Sequence, residues 1–463
     1  MNHEISKKDF YFRALRIALP MILQALITNA VSMVDNIMIG KVGTAEMSGV
    51  SIANQLLFVF NLTLFGGISG PGIFGTQFYG KKDAEGQKYT VRFRIYLSMA
   101  LVAVGAFAGL FYGPQLISLY ISGSDSPDLA AATLRHGVSY LNIMLIGLIP
   151  FSIGQAYSSA VRECGQTQIP MIGSFSAIGV NVLLDYCLIF GKFGFPQMGV
   201  EGAAIATVIA KAVEAAVIII WAHLNPAKNP YIKGLYRSLY IPFALVKQMC
   251  IKGAPLLINE LLWSTGMSII AQCYSVRGIE VVAARNIAST LTNLFSVVYV
   301  QFGSAIGIIV GIELGAGKLD KAQITARKLR LFSVYLSAAL AVLMIPFAYV
   351  FPEIYNAEDS IKSLAAYYIL IQALAMPICS YTNACYFVLR CGGKTLLTFF
   401  FDFVFTWFVT IPLAFFLSHY SGMAIKPLLA IVTFSEAIKD VAGFFLVRSG
   451  IWVNNIVDDA GSD

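Results

Sequence analysis

The chain reads as a succession of long apolar runs separated by short polar breaks. A helix needs about 20 apolar residues to cross the bilayer core, and about 12 runs reach that length. Their cores lie near 13–39, 48–74, 93–119, 138–160, 169–191, 200–223, 253–275, 283–312, 329–351, 364–389, 396–418 and 425–447. The pattern predicts an all-α integral membrane protein. The first run follows a largely polar stretch, Asn2 to Asp9, and is too long for the core of a secretory signal, so no cleaved leader is expected.

Basic residues collect in the breaks on one side. Lys7, Lys8, Arg13 and Arg16 open the first run, and Lys81, Lys82, Lys88, Arg92 and Arg94 fall between the second and third. Lys228, Lys233, Arg237, Lys247 and Lys252 follow the sixth, and Lys318, Lys321, Arg327, Lys328 and Arg330 follow the eighth. If the helices alternate, all these groups share one face, and the positive-inside rule makes that face, with both termini, cytoplasmic.

The longest internal polar stretch divides the chain into an N-lobe over residues 1–224, an inter-lobe loop over 225–252 and a C-lobe with a short tail over 253–463. The two halves repeat. Pro20 pairs with Pro255 and Gly43 with Gly278, and Ser51-Ile-Ala-Asn echoes Asn286-Ile-Ala-Ser. Gly75-Thr-Gln-Phe-Tyr-Gly-Lys-Lys-Asp matches Gly311-Ile-Glu-Leu-Gly-Ala-Gly-Lys-Leu-Asp with one residue inserted, and Val161-Arg-Glu-Cys-Gly-Gln-Thr echoes Leu389-Arg-Cys-Gly-Gly-Lys-Thr. Six helices per half give both halves the same orientation. Such a parallel repeat is typical of transporters whose substrate cavity lies between halves near the midplane.

Composition agrees with this reading. Of 463 residues, 57% are hydrophobic and only 12% charged, about half the charged share of a soluble domain. The formal charge of +7 follows from topology and does not call for a nucleic-acid partner. The seven cysteines show no C-x-x-C spacing and are expected to be buried, inert thiols. His136, His223 and His419 lie near run ends and His3 in the N-terminal tail, so no histidine-based centre inside the membrane is expected.

The informative residues are the polar ones inside the runs. Asp35 sits in the first, and an ionised carboxylate at bilayer depth costs several kcal/mol, so it is usually retained for a function. Gln24, Thr28, Ser32 and Asp35 step by four, four and three, hence share one helix face. Gln24 and Ser32 are expected to serve interhelical hydrogen bonding. Helix five carries Asn181 and Asp185 four apart, and helix six carries Thr207, Lys211 and Glu214, of which Lys211 and Glu214 are expected to neutralise one another. Two acids, an amide and a hydroxyl offer oxygen ligands to a hard monovalent cation, and the same oxygens could take protons. In the second half, Glu260 with Ser264 and Ser268 at helical spacing offers a candidate protonation or substrate site, with Asp402 as a further intramembrane acid. Neither occupies the repeat position of Asp35, which falls near Ile270. Some of the 33 Phe and 22 Tyr could line a cavity whose aromatic faces attract an organic cation.

Taken together, these motifs resemble those of the multidrug and toxic compound extrusion (MATE) family. They are Val34-Asp-Asn-Ile-Met-Ile-Gly, Gly75-Thr-Gln-Phe-Tyr-Gly, Asn181-Val-Leu-Leu-Asp-Tyr-Cys-Leu-Ile-Phe-Gly and Gly202-Ala-Ala-Ile-Ala-Thr. The resemblance covers nearly the whole chain. It implies two six-helix lobes, 12 helices by the count above, related by a pseudo-twofold axis in a V-shaped transporter that alternates between inward- and outward-open states. It also implies export of amphipathic, often cationic compounds in exchange for Na⁺ or H⁺, with no other cofactor and no catalysis. A cation site at Asp35, Asn181, Asp185 and Thr207 follows from the family pattern, as does a matching acid at Glu260. Family members with that acid carry another on helix ten, where this chain offers Cys379, Tyr381 and Asn383 instead. Pro20 matches a proline about which helix one is proposed to bend. A monomer in a bacterial plasma membrane is the expected setting.

On this reading, empty, ionised Asp35 and Asp185 favour a cationic substrate. A cation arriving from outside neutralises them and weakens the substrate's hold. Three rivals differ in what they require. A flippase for an anionic lipid intermediate would want Arg or Lys along the cavity, whereas most basic residues here follow the topology. A membrane enzyme would need a clustered catalytic set at one face, and none is evident. A channel would pass ions without countertransport.

Overall fold

The structure is a computed structural model that describes residues 7–121 and 127–458. Backbone polar groups have no water to bond within a bilayer, so spanning segments must satisfy them internally. The described residues accordingly fold into helices, joined mostly by short turns but with a long connection over 225–242: α1 (Lys7–Gly40), α2 (Thr44–Lys81), α3 (Ala84–Ile121), α4 (Pro127–Glu163), α5 (Gln168–Phe190), α6 (Val200–Leu224), α7 (Phe243–Ser275), α8 (Ile279–Gly315), α9 (Leu319–Val350) and α10 (Asp359–Cys391). Next, α11 (Thr395–Phe405) runs through a π turn at Thr406–Thr410 into α12 (Ile411–His419), and α13 (Ile425–Phe434) and α14 (Glu436–Arg448) end the set.

Among the described residues, eleven spans are long and apolar enough to cross a membrane. The remaining predicted run, 425–447, is a broken helix rather than a continuous one. Its two pieces meet at Ser435, whose hydroxyl donates to the Val432 carbonyl at 2.7 Å. Such local bonding competes with the helical ladder, and the following turn carries Glu436, Lys439 and Asp440.

Several helices outreach the bilayer. The 38 residues of α2 and of α3 rise about 57 Å at 1.5 Å per residue, against about 30 Å of hydrocarbon. The extra length absorbs charges expected in a loop, because Lys88, Arg92 and Arg94 lie within α3 and are buried. Arg94 donates to Glu163 Oε2 at 2.7 Å and to the Pro71 carbonyl at 3.1 Å. Arg92 grips the stretch between α6 and α7, donating to the carbonyls of Leu235, Tyr240 and Gly234 at 2.8, 2.9 and 3.1 Å.

The chain forms two compact units. One comprises 23–75 and 83–249, and the other 1–22, 76–82 and 250–463. The first is cored by Ile39, Val50, Leu57, Tyr140, Leu145 and Ile189. The second has cores around Ile270, Tyr274 and Leu428 and around Leu291, Met344 and Ile369. Helix α1 is divided between them two residues after Pro20, which interrupts its hydrogen-bond ladder. Within the second unit the two copies of the repeated glycine motif meet. A Cβ on Gly315 would lie 1.9 Å from the Gln77 carbonyl oxygen, and one on Gly80 2.1 Å from that of Ile312. The Gln77 side chain is fully engaged there, donating to the carbonyls of Cys391 (2.9 Å) and Asn454 (3.2 Å) and accepting from the Ile456 N–H (2.8 Å).

Candidate functional site

Three helices of the first unit, α1, α5 and α6, bring its polar residues together. Helix α5 ends at Gly191, whose φ of 65° closes the helix with an N–H bond to the Cys187 carbonyl. Two turns earlier its Asn181 and Asp185 project from one face, 3% and 1% exposed. Gly202 allows α6 to run against α5, since a Cβ there would come within 2.8 Å of the Leu188 backbone. That approach carries Thr207 to the same region. Asp35, near the end of α1, is half-buried, and its carboxyl group lies within hydrogen-bonding reach of that of Asp185. Two carboxylates cannot bond to each other, so this pair needs a shared proton or a cation.

The orphaned atoms mark the centre of this cluster. Asp35 Oδ1, both Asp185 oxygens and both Asn181 amide atoms are buried with no hydrogen-bond partner. Buried polar groups are almost always paired, so a concentration of oxygens without a protein partner fits a site that takes up a cation or a proton. Thr207 donates its hydroxyl to the Ala203 carbonyl at 2.9 Å, which leaves its lone pairs free to accept. The donor set of carboxylate, amide and hydroxyl oxygens suits a hard cation. Among the described residues no three His, Cys, Asp or Glu side chains gather to hold a metal, so the amide and hydroxyl would complete such a shell.

Two residues that sequence reasoning missed border the cluster. Tyr140 of α4 donates toward Asn54 Oδ1 of α2 at 3.4 Å, and its hydroxyl lies within reach of Thr207. Both are polar groups inside apolar runs, and Asn54 closes the repeated Ser51-Ile-Ala-Asn motif.

A second polar chain links the helices nearby. Arg162 donates to Gln24 Oε1 at 2.6 Å, Gln24 to Ser174 Oγ at 2.8 Å, and Ser174 to Glu214 Oε1 at 2.5 Å. Glu214 Oε2 takes Lys211 at 3.2 Å. Gln24 is thus an interhelical partner, and Lys211 pairs with Glu214 along α6. Thr28 and Ser32 are exposed and return their hydroxyls to carbonyls four residues back, at 2.9 and 3.2 Å.

In the second unit Glu260 and Asp402 are brought together, but differently. Asn259 donates to Asp402 Oδ2 at 3.0 Å, while Lys439 of α14 donates to Asp402 Oδ1. Glu260 lies within reach of the Tyr386 hydroxyl and faces Arg390. Ser268 turns its hydroxyl back to Ser264 and is exposed. Of the helix-ten groups, Tyr381 takes a bond from Arg330 at 3.0 Å. Lys439, Glu436 and Asp440 were not picked out from the sequence, where they sit at the end of the last apolar run. All seven cysteines are free; Cys250 is exposed and Cys379 half-buried. Cys164, just beyond α4, is buried, which pushes its thiol up to about 12.

Long spanning helices and a cluster of bare oxygens between them define a multi-pass membrane protein of the transport class. A family model described as MatE matches residues 20–187 and again 255–416, once in each half. The chain is 26% identical over 451 residues to a probable multidrug resistance protein NorM of Thermotoga maritima, covering 96% of this chain and 93% of the relative. It is 24% identical over 410 residues to the multidrug resistance protein MdtK of Edwardsiella ictaluri, covering 87% of each. Among solved structures, a MATE protein in the bent conformation superposes with a TM-score of 0.85 at 17% identity over 95% of both chains. The Vibrio cholerae MATE transporter VcmN in its bent form gives 0.84 at 18%, over 96% of this chain and 97% of the other. The chain belongs to the MATE family of membrane transporters.

Proposed function

We propose that the protein is a multidrug exporter that expels amphipathic, often cationic organic compounds in exchange for Na⁺ or H⁺. The coupling site on this reading is Asp35, Asn181, Asp185 and Thr207. One observation carries it: five buried side-chain atoms on Asp35, Asn181 and Asp185 lack any partner. The names of the NorM and MdtK relatives support drugs as substrates. With the cluster empty the two carboxylates attract an organic cation. A small cation bound between them cancels that charge and lowers the cost of closing the acids away from water.

The driving force is adequate. One charge falling through 100 mV releases about 2.3 kcal/mol, and one pH unit about 1.4 kcal/mol. Together they sustain an accumulation of several hundredfold per ion exchanged. The basic residues named above support cytoplasmic termini; a bacterial plasma membrane, the monomer as working unit and lobes over 1–224 and 253–463 belong to the same reading. Glu260 and Asp402 do not share the bare-oxygen character of the first cluster.

The test is efflux of a fluorescent organic cation from energised vesicles. Asp35→Asn should abolish gradient-driven export, and full export by that variant would sink the mechanism. Displacing the same probe from purified protein, by Na⁺ and by acid in separate titrations, identifies the ion.

A further inference from the structure

The acids of the second unit stand in an environment opposite to that of Asp35 and Asp185. Both Asp402 oxygens are covered, Oδ1 by Lys439 and Oδ2 by Asn259. Lys439 is 7% exposed and Asp402 8%, so this is a buried ion pair and not a surface contact. The ammonium also rests on the rings of Phe401 and Phe405, 5.3 and 5.8 Å from their centroids, a position any cation in the pocket would favour. Glu436, one turn before Lys439, faces both Lys439 and Asp402. Asp440 accepts from Thr382, and Glu260 faces Arg390.

The fold places the lysine there deliberately. The break at Ser435 starts α14 afresh, and the π turn at Thr406–Thr410 begins one turn after Asp402, taking a bond from the Thr406 N–H to the Asp402 carbonyl. Such turns insert a residue and re-aim their neighbours.

We propose that Lys439 is a tethered counter-cation. Its ammonium holds the position beside Asp402 that a free monovalent cation would otherwise take, so the second unit exchanges no coupling ion there. Removing the lysine should convert the pocket into a site for a small monovalent cation, held by the Asp402 carboxylate that the ammonium now occupies and attracted by the nearby charge of Glu436. The consequence for coupling rests on the antiport reading above, whereas the occupancy of the pocket does not.

The experiment uses the full chain in detergent and reads its thermal unfolding midpoint. Methylammonium chloride is compared with tetramethylammonium chloride at equal ionic strength. Lys439→Ala should lower the midpoint by several degrees, because a buried charge loses its partner. Methylammonium, which matches the lost ammonium, should recover at least half of that loss, and the bulkier ion should not. Lys439→Arg should stay near the wild type in both salts. In Asp402→Asn/Lys439→Ala the recovery should vanish. An unchanged midpoint in Lys439→Ala, no recovery by methylammonium, or recovery that persists in the double variant would each overturn the proposal. If Lys439→Ala does not fold, Lys439→Met with and without Asp402→Asn carries the same comparison, and the proposal then requires the double variant to be the more stable. In proteoliposomes Lys439→Ala should raise the number of cations exchanged per substrate by one, which a merely structural lysine would not do. Export by Asp35→Asn would defeat the antiport reading while leaving the methylammonium result to decide the role of Lys439.

Discussion

Neutralising Glu214 should weaken the coupling cation's hold without touching the cluster itself. Lys211 lies one turn after Thr207 and its charge already reaches Asp35, but its ammonium is engaged by Glu214 Oε2 at 3.2 Å. At an effective dielectric of 20 that separation corresponds to about 5 kcal/mol of gross attraction. The lysine side chain is 30% exposed, so solvent reduces the net value to about 1–2 kcal/mol. Glu214→Gln keeps the shape of the side chain and its bond from Ser174 while releasing the lysine. The free ammonium should turn toward Asp35 and Asp185 and compete with the incoming ion, weakening it by about 5- to 30-fold. The assay is displacement of a bound fluorescent cation, read as the midpoint in Na⁺ and in acid. Glu214→Gln/Lys211→Met removes the competitor and should return the midpoint close to the wild-type value. A wild-type midpoint in Glu214→Gln, or a double variant as weak as the single one, would refute the reasoning.

Two further perturbations probe the frame of the site. Tyr140→Phe removes the hydroxyl that borders Asn54 and Thr207; stability should fall by no more than about 1 kcal/mol, while turnover in proteoliposomes slows. Gly315→Ala drives a methyl into the Gln77 backbone, 1.9 Å away, and should cost about 1–3 kcal/mol in the unfolding midpoint. Gly179→Ala, where a Cβ meets nothing within 4 Å, is the matched control and should be neutral or slightly stabilising.

The acids were legible because cost makes them so. Asp35, Asp185, Glu260 and Asp402 each interrupt an apolar run, where an ionisable group is expensive. Their partners were not, because period alone says which residues share a face and not what that face meets. Gln24 and Asp35 belong to one stripe of α1. Yet Gln24 bonds to Ser174 and Arg162, while Asp35, about three turns on, meets Asp185. A helix of 34 residues with an internal proline passes different neighbours along its length. Tyr140 was hidden by its own chemistry, since a phenol in an apolar run reads as packing. Lys439 was hidden by position: at the end of the last run, charges look solvated. The fold shows that α14 turns its lysine inward, onto Asp402 and the rings of Phe401 and Phe405.

The two acid clusters therefore differ in a way their residue types do not disclose. Both pair carboxylates with an amide and a hydroxyl: Asp35 and Asp185 with Asn181 and Thr207, Asp402 with Asn259 and Tyr386. In the first, the ammonium of Lys211 is held by Glu214, and the oxygens of Asp185 have no protein partner. In the second, the ammonium of Lys439 is delivered onto the carboxylate. A buried ion pair contributes little net stability compared with an apolar replacement, so stability alone does not account for a lysine at this depth. On the antiport reading proposed above, filling one pocket with the protein's own cation would confine exchange to the other. That would leave the first cluster to set the number of ions exchanged per substrate.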